Sequence, residues 1–538
     1  MKQYLGQHKF LLVLLILASI IYLANLGDRT ITGDEAYTVL QAKTVLDHGY
    51  PHAFYKNFEI LPKATYNIAN TYIFNWTPWL ESYITAVMLK IAGMNEFYLR
   101  LPFVLIGLAT IALFYFFITK LTKEKFIIYT STLLLATSIT FILHVRQARW
   151  YSLSTFFALA TWHTYLGWTQ EKKSHWPMVA SAALLFHSQL FTFFAVAFSL
   201  AVHYALFEIK KASATESIKR IAIPFIAITI LTLPWFLATG QLATKSAGFT
   251  LNPIALAANL GIYGYYIAIL LIPIILVGIF LIILIKNKER TILTPNHFII
   301  TILCASLFFL AVKGDLLPAI RYLIFLIPLF SIINAFMLNE LKKYSKPLAI
   351  ILLMFMLLGN YANVIPFTLA RVTAQERITH APQYIQSFIQ HSTTPHLFLI
   401  SYLYEITHHT TSTDRAILNI IKTKGKPADT FTTSHFPHTI LIYTNLTATV
   451  PDIRVESFAK TTNKSITNTT PNWIIPRGFA LEQEEIDTFL KEADHRYNLS
   501  AYEKIEIAID DSERWASAPD PINHRFRTVQ GTLIIYHK

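Results

Sequence analysis

Long runs of apolar residues, separated by short polar breaks, fill the first two thirds of the chain. A membrane-crossing helix needs about 20 predominantly apolar residues. Eleven stretches meet or approach that length: 9–26, 100–119, 126–143, 150–169, 176–190, 191–207, 219–237, 262–285, 297–312, 318–338 and 346–366. The fifth and sixth are short and nearly continuous, with His187, Ser188 and Gln189 marking the expected turn. The first run follows Lys2 and Lys9 without a convincing small-residue cleavage site, so it reads as a retained anchor. Beyond residue 366 the pattern changes. Short apolar runs at His396–Ile406, Thr439–Tyr443, Ile505–Ile509 and Thr532–Tyr536 predict strands, and Leu481–Ala493 predicts a helix. The expected fold is mainly α: a polytopic membrane helical bundle of about eleven spans over 1–366, including a large loop at 27–99. A C-terminal soluble α/β domain follows at 367–538.

Charge adds an orientation. Residues 1–366 hold 28 Lys and Arg against 14 Asp and Glu, whereas 367–538 hold 17 against 18. The excess of the whole chain, +13, therefore belongs to its apolar part. There it reads as membrane topology rather than a nucleic-acid surface. With the N-terminus in the cytoplasm, 17 of the 28 cations fall on the inner side, and the alternation holds at every inner loop. The loop 27–99 and the domain 367–538 are then both outside.

Composition narrows the classes. The chain of 538 residues is 54% hydrophobic and only 14% charged, where a soluble domain carries about 25% charge. That excludes an ordinary cytosolic enzyme and a disordered protein. Cys304 is the one cysteine, so neither an intrachain disulfide nor a cysteine zinc cluster exists. Inner loops are short, and no Gly-rich phosphate loop is present, which argues against direct chemistry on a cytoplasmic nucleotide. The C-terminal domain holds 10 of the 19 histidines, but none makes a helical i, i+4 pair within a clear helix, so solvated surface histidines are the simpler reading.

The most informative stretch is Thr30-Ile31-Thr32-Gly33-Asp34-Glu35-Ala36-Tyr37, where adjacent carboxylates lie just beyond the first span. Asp34 stands where a helix N-cap is expected, and Glu35 would favour the helix dipole. Two further outer stretches carry cations: Arg146 and Arg149, and Lys313 and Arg321. Singly, each fits a snorkelling anchor as well as a functional group. Together they break the inner bias in short loops. They bring guanidinium and carboxylate groups within reach of lipid headgroups, which suits chemistry on a phosphate-bearing lipid.

These segments resemble the polytopic GT-C glycosyltransferases that use polyprenyl-phosphate sugars, in the group of protein O-mannosyltransferases, lipid A aminoarabinose transferases and rhizobial lipopolysaccharide glycosyltransferases. The resemblance rests on Gly33-Asp34-Glu35-Ala36-Tyr37 and on Asn95-Glu96-Phe97-Tyr98-Leu99-Arg100-Leu101-Pro102. It rests further on Ala148-Arg149-Trp150-Tyr151-Ser152-Leu153, on His187, and on Arg321-Tyr322-Leu323 with Pro328. Their order and spacing cover about 330 residues. Two departures stand out: Gln147 replaces an acidic residue that many relatives carry before Ala-Arg-x-Tyr, and Trp76-Thr77-Pro78 replaces a His-Pro-Pro. The C-terminal domain resembles no family.

The resemblance implies an inverting transfer of a monosaccharide from polyprenyl phosphate to a hydroxyl of a glycan, lipid A or protein, on the outer face of a bacterial inner membrane. Asp34 would be the base, with Glu35 beside it. Arg149, Arg321, Lys313 and Arg146 would hold the donor phosphate. Tyr37, Tyr151, Tyr322 and His187 would bind substrate. Tyr37, Tyr66, Tyr72, Trp76 and Trp79 suit either sugar stacking or an interfacial aromatic belt, the belt being the simpler reading. No cofactor is implied with certainty, and a divalent metal is compatible with the site. Membrane lipid is a partner and nucleic acid is not. The competing readings are a surface-polysaccharide polymerase or ligase using pyrophosphate donors, a lipid-linked sugar flippase or transporter, and a receptor-like scaffold. A transporter would show internal repeats and broken midplane helices, and no clear repeat is present.

Overall fold

The structure is a computed structural model that describes residues 8–56, 58–60, 72–209, 213–239, 252–286, 297–312, 319–359, 397–408, 413–426, 429–433, 437–444, 446–448, 470–476, 483–510 and 530–538. Each of the eleven apolar runs contains a helix. Among the described residues, five helices are long and apolar enough to cross a membrane: Glu96–Leu121, Leu190–Glu208, Arg220–Ala238, Pro253–Leu271 and Ile320–Tyr344. The pair Lys125–Thr137 and Ile139–Val145, bent by 53°, makes a sixth. Lys9–Leu23, Ile274–Ile285, His297–Val312 and Lys346–Leu358 are apolar but shorter.

The breaks explain why fewer helices than runs reach full length. Ser138 closes one helix and caps the next, its hydroxyl accepting from the Phe141 N–H. Pro273, which has no N–H to donate, divides the run expected as one span at 262–285. The helices there are Pro253–Leu271 and Ile274–Lys286. Helix Glu96–Leu121 can lie close to Ile139–Val145 because Gly107 faces Val145. A Cβ on Gly107 would sit 2.9 Å from the Val145 Cβ, the small-residue contact that membrane helices favour.

The chain forms two compact units that do not follow sequence order. One comprises Met1–Ala24, Phe103–Leu403 and Asp520–Ile522; the other comprises Asn25–Pro102, Tyr404–Pro519 and Asn523–Lys538. The first is the helical bundle. The second joins the large first loop to the C-terminal domain through one hydrophobic core. Ile31, Val39, Leu40, Phe74 and Leu99 from the loop share that core with Ile417, Phe431, Ile440, Trp473 and Ile535.

The second unit holds a short antiparallel hairpin, β1 (Phe54–Tyr55) with β2 (Phe58–Glu59). Its main sheet has five strands: β3 (Thr430–Thr433), β4 (Thr447–Ala448), β5 (Trp473–Ile475), β6 (Glu503–Asp510) and β7 (Gln530–His537), in the order β4-β3-β5-β7-β6. Strand β3 runs parallel to β4 and β5, and β7 is antiparallel to β5 and β6. Strand alternation splits β5 between two cores. Trp473 and Ile475 face the loop, while Ile474 packs with Phe489 and Ala493 of helix Gln483–Tyr497.

Two expected strands are helices instead. His396–Ile406 overlaps helix Phe398–Thr407, and Thr439–Tyr443 lies in helix Pro437–Tyr443. Short apolar runs do not separate the two periods. In the first, Phe398, Tyr402 and Ile406 are buried while Ile400 and Tyr404 are exposed, a spacing of four. In the second, Pro437 occupies the first helical position, where its missing N–H costs nothing. The expected strands at Ile505–Ile509 and Thr532–Tyr536 and the helix at Leu481–Ala493 correspond to β6, β7 and Gln483–Tyr497.

Candidate active site

The carboxylate pair opens helix Gly33–His48. The N-cap is Thr32, in an extended conformation, so Asp34 is the second helical residue and not the cap expected from the sequence. Gly33 has φ of 53°, a left-handed conformation that a residue with a Cβ adopts only at a cost. Asp34 and Glu35 have different surroundings. Asp34 is partly exposed, whereas Glu35 is only 3% exposed.

Arg100 accounts for the burial of Glu35. Its Nε donates to Glu35 Oε1 at 3.0 Å and its Nη2 to Oε2 at 2.6 Å. The same guanidinium donates from Nη1 to the carbonyls of Leu26 and Arg29, at 3.0 and 2.7 Å, and from Nη2 to Thr30 O at 3.2 Å. All five N–H donors of the side chain are thereby used. A buried charge tolerates desolvation only when paired and fully hydrogen-bonded, and this one fixes both Glu35 and the backbone of 26–30.

A second set of contacts comes from helix Pro437–Tyr443. The Ile31 N–H donates to the Tyr443 hydroxyl at 2.8 Å, and that hydroxyl donates to Glu96 Oε1 at 2.9 Å. Arg415 pairs with the same oxygen at 3.3 Å. Burial, then the Glu96 carboxylate, pushes the Tyr443 hydroxyl well above its ordinary range, so it stays protonated as a donor. The Lys43 Nζ donates to Ile442 O at 2.6 Å. Burial, reinforced by Lys56 and opposed by Asp47, pushes the Lys43 amine down to about 8. The Tyr37 ring lies 3.9 Å from that of His438, whose Nε2 donates to Ile60 O at 3.0 Å. Glu96 and Arg100 belong to a motif visible in the sequence. Tyr443 and His438 carry no such signal, because their segment reads as a strand.

In the bundle, Arg149 is the N-cap of helix Trp150–Gln170 and is 6% exposed. Arg321 opens the 3-10 segment Ile320–Leu326. The residues that follow the two arginines stack on each other, Trp150 on Tyr322, with centroids 6.3 Å apart and 21° between planes. The stack brings the segment that begins at Arg149 beside the one that holds Arg321. Tyr151 and His144 join them, ring edge to face at 4.8 Å, with His144 Nδ1 donating to Thr140 O at 2.6 Å. The Arg321 guanidinium lies 5.3 Å from the Tyr322 ring centre.

Arg146 holds backbone carbonyls. Its Nη1 donates to Tyr22 O at 2.7 Å and Ala24 O at 2.8 Å, closing the C-terminal end of helix Lys9–Leu23, where cations are favoured. His187 Nε2 donates to Leu231 O at 3.1 Å, joining its helix to Ala214–Ala238. Lys313 and Tyr66 lie outside the described residues. Tyr72 and Trp76 are exposed, and Trp79 packs on Tyr83 at 5.1 Å. Among the described residues, no group of three or more His, Cys, Asp or Glu side chains is placed to hold a metal ion.

No protein-family model matches the chain, and no curated protein matches it in sequence. Solved structures do resemble it. ArnT from Cupriavidus metallidurans bound to undecaprenyl phosphate superposes with a TM-score of 0.53 at 12% identity, covering 98% of each chain. The same protein in the apo state gives 0.54, also at 12% identity, over 99% of this chain and 98% of that one. The oligosaccharyltransferase AglB from Archaeoglobus fulgidus, in complex with an inhibitory peptide and a dolichol-phosphate, gives 0.42 at 12% identity over 91% and 72%. At this identity the likeness is one of fold: the chain shares the membrane architecture of the two ArnT structures.

Proposed function

We propose that the chain is a membrane glycosyltransferase that moves a monosaccharide from polyprenyl phosphate to an acceptor hydroxyl with inversion. The observation that carries the reading is the convergence of Arg149 and Arg321, through the Trp150–Tyr322 stack, at one end of a bundle whose fold resembles a structure holding undecaprenyl phosphate.

The acceptor oxygen attacks the anomeric carbon opposite the phosphate. Asp34 takes the hydroxyl proton as general base. The C–O bond to phosphate breaks, and its electron pair leaves with the polyprenyl phosphate, where Arg149 and Arg321 stabilise the growing charge. Lys313 keeps a supporting assignment to the same phosphate on its place in the sequence. Glu35 acts through Arg100, holding the loop before Asp34. Arg146 is left to the helix end it closes. Tyr37, Tyr151, Tyr322 and His187 retain substrate-contact assignments. The inner-side cation bias supports an N-terminus in the cytoplasm of a bacterial inner membrane, with residues 367–538 on the periplasmic face.

Purified protein incubated with short-chain polyprenyl-phosphate sugars should release polyprenyl phosphate, while pyrophosphate-linked sugars should remain intact. Turnover of the pyrophosphate donors alone would favour a polymerase or ligase, and turnover of neither, with every acceptor class supplied, would defeat the reading.

A further inference from the structure

The C-terminal domain is the part of the chain that the proposed transfer leaves without a role. Besides the shared core, several of its polar and ring contacts with the first loop, within the second unit, flank one feature: the helix start that carries Asp34. Arg29 pairs with Glu405 at 3.0 Å. The Ile31 N–H, three residues before Asp34, is taken by the Tyr443 hydroxyl. Tyr37, one turn after Asp34, packs its ring on His438. Lys43, two turns further, holds the Ile442 carbonyl. Helix Pro437–Tyr443 therefore touches helix Gly33–His48 at its approach, its second turn and its third.

We infer that Tyr443 is a positioning residue for the proposed transfer, setting the backbone of Ile31 and hence the direction of the Asp34 carboxylate by accepting the Ile31 N–H while donating to Glu96. This rests on the reading of Asp34 as the base. Two arms hold the approach to Asp34 from different directions. Arg100 grips the carbonyls of Leu26, Arg29 and Thr30, and Tyr443 grips the one N–H that follows them. Glu96 orients the tyrosine by accepting its proton, and Arg415 holds Glu96. The hydroxyl has to act as acceptor and donor at once, so phenylalanine removes both contacts while keeping the ring. General-base geometry is sensitive: a displacement of about 1 Å at a catalytic group costs roughly a hundredfold in rate. On this account the C-terminal domain is part of the catalytic scaffold, and its helix takes the place of a fixed loop.

The test uses the full-length protein in detergent or nanodiscs. In Tyr443→Phe, kcat should fall about ten- to a hundredfold while the KM for the polyprenyl-phosphate donor changes less than about twofold, since the tyrosine hydroxyl is engaged by Ile31 and Glu96. Hydrogen exchange in the peptide spanning 26–34 should accelerate, with the bundle helices unchanged. Glu96→Gln, which retains an acceptor for the Tyr443 hydroxyl, should keep most of the rate, and Glu96→Leu should reproduce Tyr443→Phe. Adding Tyr443→Phe to Glu96→Leu should cost little more. Unchanged exchange at 26–34, or unchanged kcat, in folded Tyr443→Phe overturns the inference. If the 26–34 peptide loosens as expected but wild-type protein turns over no polyprenyl-phosphate donor, the transferase reading fails and takes the catalytic consequence with it.

Discussion

Arg100 and Glu35 lie side by side in a two-pronged ion pair, Nε to Oε1 and Nη2 to Oε2, with both side chains almost wholly buried. They come from opposite ends of the first loop, 65 residues apart in sequence. Their pairing closes that loop at its base and leaves Asp34, the immediate neighbour of Glu35, at the partly exposed start of its helix. One carboxylate is held; the other is the one proposed as base.

This pairing gives the first prediction. Removing one partner of a buried ion pair costs about 3–5 kcal/mol, because the other charge stays buried. Glu35→Leu and Arg100→Leu should each lower the unfolding temperature of purified protein by several degrees and reduce its membrane abundance. Arg100→Lys should not restore stability, since an ammonium offers three donors where five are in use. Thermal unfolding in detergent measures this. An Arg100→Lys protein as stable as wild type would show that the five-donor geometry is unimportant.

The roles proposed for the arginines of the bundle differ. Arg149→Ala and Arg321→Ala should each raise the donor KM or lower kcat/KM by about ten- to a hundredfold, since a hydrogen bond to a charged group is worth about 1.5–3 kcal/mol. Expression should stay normal. Arg146→Ala should do the reverse: lose about 1 kcal/mol of stability as the end of helix Lys9–Leu23 is uncapped, with turnover per folded molecule within about twofold of wild type. Kinetics normalised to folded protein separate the two classes, and equal behaviour of all three variants would remove the distinction.

Lys43 gives a pH dependence. Its folded value is depressed to about 8 from an ordinary 10.5 by burial and by Lys56. Between these values the unfolded chain holds a proton that the folded protein has released, so stability rises with pH across that window. Wild type should therefore gain unfolding temperature between about pH 8 and 10 relative to Lys43→Met, in which this contribution is absent. Parallel pH curves for the two proteins would place Lys43 in a more solvated setting.

Most of the bundle was legible in the sequence because membrane helices announce themselves by length and apolarity, and each of the eleven runs contains a helix. The break at Pro273 was signalled by the proline itself, yet the apolar run continues through it and hides it. The charged residues of the proposal were legible: Asp34, Glu35 and Arg100 in one unit, and Arg149 and Arg321 in the other, all stand in short motifs. The residues that support Asp34 were not. Tyr443 and His438 lie about 400 residues from Asp34, in a seven-residue helix too short to show a period. The shared core of Ile31, Val39 and Leu40 with Phe431 and Trp473 is a long-range pairing that a local pattern does not encode. For the same reason the first loop, which the sequence groups with the spans, packs with the C-terminal domain.

The most direct test of the account is the rate of sugar transfer by Asp34→Asn, normalised to folded protein. Asparagine keeps the size and much of the hydrogen bonding of aspartate, and Asp34 is not the helix cap, so the fold should be undisturbed. It removes the proton acceptor. General-base assistance is worth about a hundred- to ten-thousandfold, and the account predicts a loss within or above that range, with donor binding and unfolding temperature close to wild type. If Asp34→Asn retains most of the wild-type rate, Asp34 is not the base, and the role assigned to the loop that holds it is wrong.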